Sequence, residues 1–491
     1  MTNPGKPDVP EESNPRSPKR WLFAIGCLIV SLLVLVRMMN RNSGEVPASA
    51  GTNSLRPQPT AAASTESRDR LLARLPHRRP ASESASTAEQ IVAGKVRQFA
   101  RNRRALAHAM AERFKIEVPA DVERFFAAVE AGNWDEIDAA FKPLGERYKA
   151  KPPPRDIDVL WGPILDALGA AESAHDWPAQ KLLDYGEAVL GSLRPGMVYV
   201  GGTDPGRFIP TLLNETSDGE RHVIITQNGL AASSYLDYLN FLYGDRLATL
   251  THEDSNRAFQ DYFTDFQRRL EHDREFPNEP RQVRPGENNF SDLPRSITSQ
   301  DGRVELTGSA AMMAVNERLL QMLLEKNPEL AFALEESFPL KSNYADATLL
   351  GPITELRAHD PQNALTAERA AQSVDYWRAL AEQFRIYPDE SEWSVELKTY
   401  SKLAVAQANL FADRSFPAEA EQTYRIANQI YPANVEAVTG LARVLMGSGR
   451  EESANQMLNQ FCREHPQQRR AVEDFRRNFA FAAAQAVSGQ R

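Results

Sequence analysis

The sequence predicts an α/β plus all-α protein: a single N-terminal transmembrane helix, helical hairpins, a Rossmann-like three-layer α/β domain and C-terminal tetratricopeptide-like repeats. Three observations carry this expectation. A charge-free apolar run begins at Trp21, short β-type runs alternate with helical stretches after Gly196, and Pro432 and Pro466 stand 34 residues apart amid matching small and large residues. At 491 residues the chain has room for two or three cores.

Trp21 to Val36 carries no charge, and Met38 and Met39 extend the run to residues 21–39. At ~1.5 Å rise per residue such a run measures roughly 24–28 Å, close to the ~30 Å hydrocarbon core of a bilayer. Trp21 suits the interface, and Lys19, Arg20 and Arg37 bracket the ends. Ala48-Ser49-Ala50 resembles a cleavage site, but Arg37, Arg41 and the residues around them set it far from the apolar run. The reading is an N-terminal tail (1–20), then a helix in contact with membrane lipid. Lys6, Arg16, Lys19 and Arg20 outweigh Arg37, Arg41 and Arg56, which puts the tail inside and the body of an inner-membrane protein in the periplasm.

Residues 40–88, rich in Ser, Thr, Ala and Pro, read as a disordered stalk spanning about 35–40 Å. Residues 89–193 read as helical hairpins. Ile91, Val92, Val96 and Phe99 form one face, opposite the basic residues Lys95, Arg97, Arg101, Arg103 and Arg104, which read as a solvated face, or alternatively as a surface for anionic lipid on the cytoplasmic side. Further on, Val122–Val129, a Gly132-Asn133 turn and Trp134–Tyr148 make an αα-hairpin.

Residues 194–360 alternate β-type runs (Met197–Val200, His222–Thr226, Leu247–Leu250, Val304–Thr307, Leu330–Leu334, Ile353–Leu356) with helices at Arg207–Leu213, Ser233–Tyr243 and Ala310–Lys326. That alternation implies a largely parallel sheet, with residues 275–300 as a surface insertion. Residues 361–491 read as repeats and a capping helix. Counting back from the two prolines, Ala408 matches Ala442, Phe411 matches Leu445, Ala420 matches Ala454 and Tyr424 matches Leu458, whereas Ala427 meets Phe461. Small residues let paired helices approach closely, and the large ones fill the gap between repeats.

Composition narrows the function. Residues 1–118 carry 19 Lys and Arg against 10 Asp and Glu, so the remaining chain is strongly acidic and unsuited to nucleic acid. Two cysteines, Cys27 and Cys462, build neither a disulfide framework nor a zinc cluster. Phosphate-binding P-loop, zincin and nucleophile-elbow signatures are missing, and no metal or cofactor is expected. His252-Glu253-Asp254 reads as an acidic helix N-terminus.

One segment stands out: Gly201, Gly202, Thr203, Asp204, Gly206 and Arg207, between a strand and a helix, followed at the next strand end by Gln227 and Asn228. Ligands of α/β sheets bind at such strand ends, where glycines admit close approach and an Arg pairs with an anion. The competing account is a tight turn, with Asp204 capping a helix that has Pro205 in its first position.

The Gly-rich turn with Phe208-Ile209-Pro210-Thr211, then Thr226-Gln227-Asn228, Tyr235-Leu236-Asp237-Tyr238, Ala333–Leu340 and Gly351-Pro352-Ile353 resembles the soluble region of polytopic bacterial membrane proteins. Those look like GT-C glycosyltransferases related to protein O-mannosyltransferases, some with tetratricopeptide repeats at the C-terminus. The resemblance covers roughly residues 195–470 and lacks that family's many membrane helices and acidic catalytic loop. It implies a related accessory domain in cell-envelope or glycan-related assembly. The leading expectation is therefore a membrane-anchored interaction or scaffold protein whose repeats hold a protein partner. The alternative is an enzyme or ligand-binding domain for a sugar or phosphate-like group at Gly201–Arg207, which the missing acid/base pair disfavours.

Overall fold

The computed structural model describes residues 86–488, apart from 151, 203, 220, 280, 284–296, 301–302, 307–308, 337–339, 358–363 and 387–393. Fifteen α-helices and seven short strands make up the described residues.

The chain begins with α1 (Ala88–Phe114), opened by a Thr87/Gln90 capping box and closed by Lys115 in the left-handed region at φ 53°. Helices α2 (Ala120–Ala131) and α3 (Trp134–Tyr148) form the expected hairpin around Gly132, at φ 81°, with Asn133 capping α3. Helices α4 (Arg155–Asp176) and α5 (Ala179–Leu190) follow. The basic face of α1 is not simply solvated. Lys95 Nζ donates to the Thr216 carbonyl at 2.9 Å, Arg103 is buried and Arg104 pairs with Glu123.

Strand β1 (Val198–Gly201) leads into α6 (Asp204–Glu215) and β2 (Val223–Thr226). Then come α7 (Ser233–Tyr243), α8 (His252–Glu275), a separate antiparallel pair β3 (Ile297–Gln300) and β4 (Arg303–Leu306), and α9 (Ser309–Lys326). Strands β5 (Phe332–Leu334), β6 (Thr348–Leu350) and β7 (Ile353–Glu355) complete a sheet of order β2-β1-β5-β7-β6. Side chains alternate across it as the strand period requires. Val198, Val200, Val223, Ile225, Phe332 and Leu334 share a core with Leu236, Leu239 and Leu319. Tyr199, Ile224 and Ala333 join Ile164, Leu182 and Ile209 on the other side.

The expected Rossmann-like, largely parallel α/β domain is corrected. The protein is predominantly helical, with a small mixed sheet in which only β2, β1 and β5 run parallel. The reason lies in a β6–β7 hairpin, closed by the two-residue turn Gly351-Pro352 with Gly351 at φ 59°, whose β7 pairs antiparallel with β5. Leu247–Leu250 is no strand, because Thr251 immediately caps α8 in a capping box with Asp254. The membrane anchor is corrected as well. No helix of the described residues is long and apolar enough to cross a membrane. The run Trp21–Met39, the N-terminal tail and nearly all of the stalk lie outside the described residues. The inner-membrane, periplasm-facing location was drawn from that run alone, and nothing in the described residues supports it.

The C-terminal part contains α10 (Ala367–Ile386), α11 (Val395–Asp413), α12 (Pro417–Ile430), α13 (Val435–Gly447), α14 (Glu451–Glu464) and α15 (Arg469–Ser488). Helices α11/α12 and α13/α14 are the two hairpins, and the residues matched across 34 positions are buried in both. Helix α15 packs Val472 and Phe475 into the same core. Helix α11 departs from a repeat helix with a free groove. Gln407 on it is wholly buried, and its Oε1 accepts from Ser373 Oγ (2.6 Å) and Trp377 Nε1 (2.9 Å). Its Nε2 donates to the carbonyls of Gly351 (2.8 Å) and Ile353 (3.2 Å), so every hydrogen-bonding position of the amide is used. The β6–β7 hairpin thus docks on α11 at Gln407.

Ala420 is fully buried where α12 meets α11. Ala420→Trp is expected to cost about 1–3 kcal/mol by overpacking. The exposed change Asn455→Ala should stay within about 0.5 kcal/mol. Urea unfolding of both variants checks this, and equal midpoints would mean the hairpin does not close at Ala420.

Candidate functional site

The parallel strands end at one edge, and what lies there depends on a buried carboxylate behind it. Asp166 sits in the apolar stretch of α4 and is 3% exposed. Its Oδ2 accepts from Arg103 Nε of α1 at 3.2 Å and from Tyr238 Oη of α7 at 2.5 Å, and its Oδ1 pairs with Arg207 of α6. Arg103 also meets Glu215 at 2.5 Å. Two guanidinium groups are thus balanced by two carboxylates. Burial alone would lower the Arg207 pKa, but Asp166 beside it raises it overall. The Arg207 guanidinium also lies 4.7 Å from the Phe208 ring centroid and 5.5 Å from that of Tyr235.

In front of this network, Gly202 joins the three strand ends. Its carbonyl accepts from Asn228 Nδ2 at 3.0 Å and Thr226 Oγ1 at 3.4 Å, and its N–H donates to Glu335 Oε2 at 3.4 Å. Glu335, directly after β5, is 3% exposed. A Cβ on Gly206 would fall 1.2 Å from Glu335 Oε2, so only glycine leaves room for this carboxyl. Tyr199 Oη lies 2.6 Å from the Gly206 carbonyl and 3.3 Å from Glu335 Oε2. A phenol has a single hydrogen, which the shorter contact claims, so the longer one is strongest when Glu335 carries a proton. Burial pushes Glu335 up to about 7, opposed by the Gly202 N–H and the Lys402 ammonium of α11.

Glu336 is half-buried beside it and faces the repeats. Tyr344 Oη donates to it at 2.8 Å and Asn409 Nδ2 at 3.4 Å, while Tyr424 Oη donates to Asn409 Oδ1 at 2.6 Å. Burial pushes Glu336 up to about 8. Gln227 is wholly buried, and among the described residues neither its Oε1 nor its Nε2 has a hydrogen-bond partner.

Of the residues singled out in the sequence, Gly201, Gly202, Gly206, Gln227 and Asn228 lie at this edge. Thr203 lies outside the described residues, and α6 begins at Asp204. Arg207, read from the sequence as a partner for an anionic ligand, is paired with Asp166. Sequence reasoning missed Glu335, Glu336 and Asp166. A signal existed for each: two acids directly after the apolar run Phe332–Leu334, and one acid inside the apolar helical stretch Leu160–Ala171. Among the described residues no group of three or more His, Cys, Asp or Glu is placed to hold a metal ion.

Comparison of the chain with protein-family models, curated proteins and solved structures finds no match.

Two outcomes follow from this geometry. Asp166→Ala leaves Arg103 and Arg207 buried with too little counter-charge and should cost about 3–5 kcal/mol in denaturant unfolding. A loss below about 1 kcal/mol would mean the network carries little. A buried carboxyl raised from 4.5 to about 7 or 8 binds protons more tightly folded than unfolded. Stability should therefore fall as pH climbs from 4.5 through 7 to 8, then level off. Glu335→Gln should match the wild type near the low end and exceed it by roughly 2–3 kcal/mol above the transition. A pH-independent difference would contradict the assignment.

Proposed function

We propose that the protein binds a small polar ligand, bearing a sugar or phosphate-like group, at the edge formed by the ends of β2, β1 and β5. The observation that carries this reading is Gln227, a fully buried amide whose donor and acceptor are both unmatched among the described residues. Such a group costs about 1–3 kcal/mol where it stands, and a ligand with its own donor and acceptor would repay it. Two carboxyls after β5 at the same end of the sheet, Glu335 and Glu336, are raised toward neutrality, and perturbed groups of this kind gather at functional sites. The position, outside the carboxyl ends of parallel strands, is where open sheets take ligands. The alternative, a scaffold reading through a groove on the repeats, has less behind it, because Gln407 of α11 is taken up by the β6–β7 hairpin and by α10.

Gln227→Leu separates the possibilities. If the amide serves a ligand, the leucine variant should be as stable as the wild type or more so, by roughly 1–3 kcal/mol, yet fail to complement a deletion strain. Full complementation by a stable Gln227→Leu protein would defeat the proposal.

A further inference from the structure

The strand edge has a consistent electrostatic character. The Gly202 N–H that would meet an incoming anion already faces Glu335 Oε2, and the carboxyl lies tight against Gly206. The cation at the start of α6, Arg207, is held by Asp166. Glu336 stands next in sequence, and Glu317 of α9, which accepts from Ser342 N at 3.0 Å, acts on Glu336 through its charge. Against these three acids stands Lys402, whose charge acts on Glu335. Gln227 supplies one neutral donor group and one neutral acceptor.

We infer that Glu335 sets the specificity of this edge: its carboxyl fills the recess over Gly202 and Gly206, so that the ligand is uncharged and rich in hydroxyl or amide groups, while free anions are shut out. The inference rests on reading the edge as a ligand site and selects between the two ligand chemistries considered for it. An anion would have to displace a carboxyl packed against backbone and approach two further carboxylates. A hydroxyl needs neither, since it can donate to the Glu335 carboxylate or accept from the protonated carboxyl, and hydroxyl or amide groups elsewhere on the ligand can match the donor and acceptor of Gln227.

The test is calorimetric titration of inorganic phosphate into the full chain, at a pH above the Glu335 transition, for the wild type, Glu335→Ala and Glu335→Ser. The wild type should show no saturable binding. Both variants vacate the recess and expose the Gly202 N–H, and each should bind phosphate at least about tenfold more tightly than the wild type. Phosphate binding by the wild type at the strength of the variants would overturn the inference. So would a folded Glu335→Ala or Glu335→Ser protein that gains nothing. Failure of the ligand site itself reads out elsewhere: Gln227→Leu would then complement, whatever phosphate does in the Glu335 variants.

Discussion

Two guanidinium groups and a phenol meet one carboxylate at Asp166, and four helices are fixed to one another there. Helices α1 and α4 bring Arg103 and Asp166, α6 brings Arg207, and α7 brings Tyr238. Because α6 starts from the end of β1 and α7 follows the end of β2, holding them against α4 also fixes where the two strand ends open. A buried charge pair of this kind adds less to net stability than its Coulomb attraction suggests, since each ion loses its hydration. What it adds here is definition: the guanidinium fork and the carboxylate fit in few arrangements, and the strand edge inherits that geometry.

The front of the sheet is organised differently. Its polar groups bind through backbone rather than through full charges, with Gly202 as both donor and acceptor. Glu335 and Glu336 point to opposite neighbours, one toward the loop before α6 and the other toward Tyr344 and Asn409. Through Asn409 and Tyr424 the second carboxyl is linked to α12, so the repeats form one wall of the region around the strand ends.

How much of this the sequence disclosed depends on how far apart the partners lie. The hairpins were legible because their signals are local: Gly132 and Asn133 at a turn, Ala420 and Ala454 at a fixed period. The sheet was legible in part. Runs such as Met197–Val200 and His222–Thr226 announced strands, but three or four apolar residues say nothing about direction, and β7 pairs antiparallel with β5 from a hairpin closed at Gly351-Pro352. For the Asp166 network only the lone acid in an apolar stretch was visible; its partners were not, since they lie 63, 41 and 72 positions away and look ordinary alone. Arg207 shows the hazard plainly. Its place after a Gly-rich turn suggested a ligand contact, while its actual counter-ion came from α4, 41 positions earlier in the chain.

Helix α11 carries one more consequence. In a free-standing array each repeat touches only its neighbours, so units can be gained or lost at either end. Here Gln407 is spent on Ser373, Trp377 and the β6–β7 turn, and Asn409 on Glu336 and Tyr424. A unit inserted before α11 would have to displace α10, whose Ser373 and Trp377 hold Gln407. The array is therefore asymmetric: its first hairpin is tied by hydrogen bonds to the sheet and to α10, whereas its last is closed by α15.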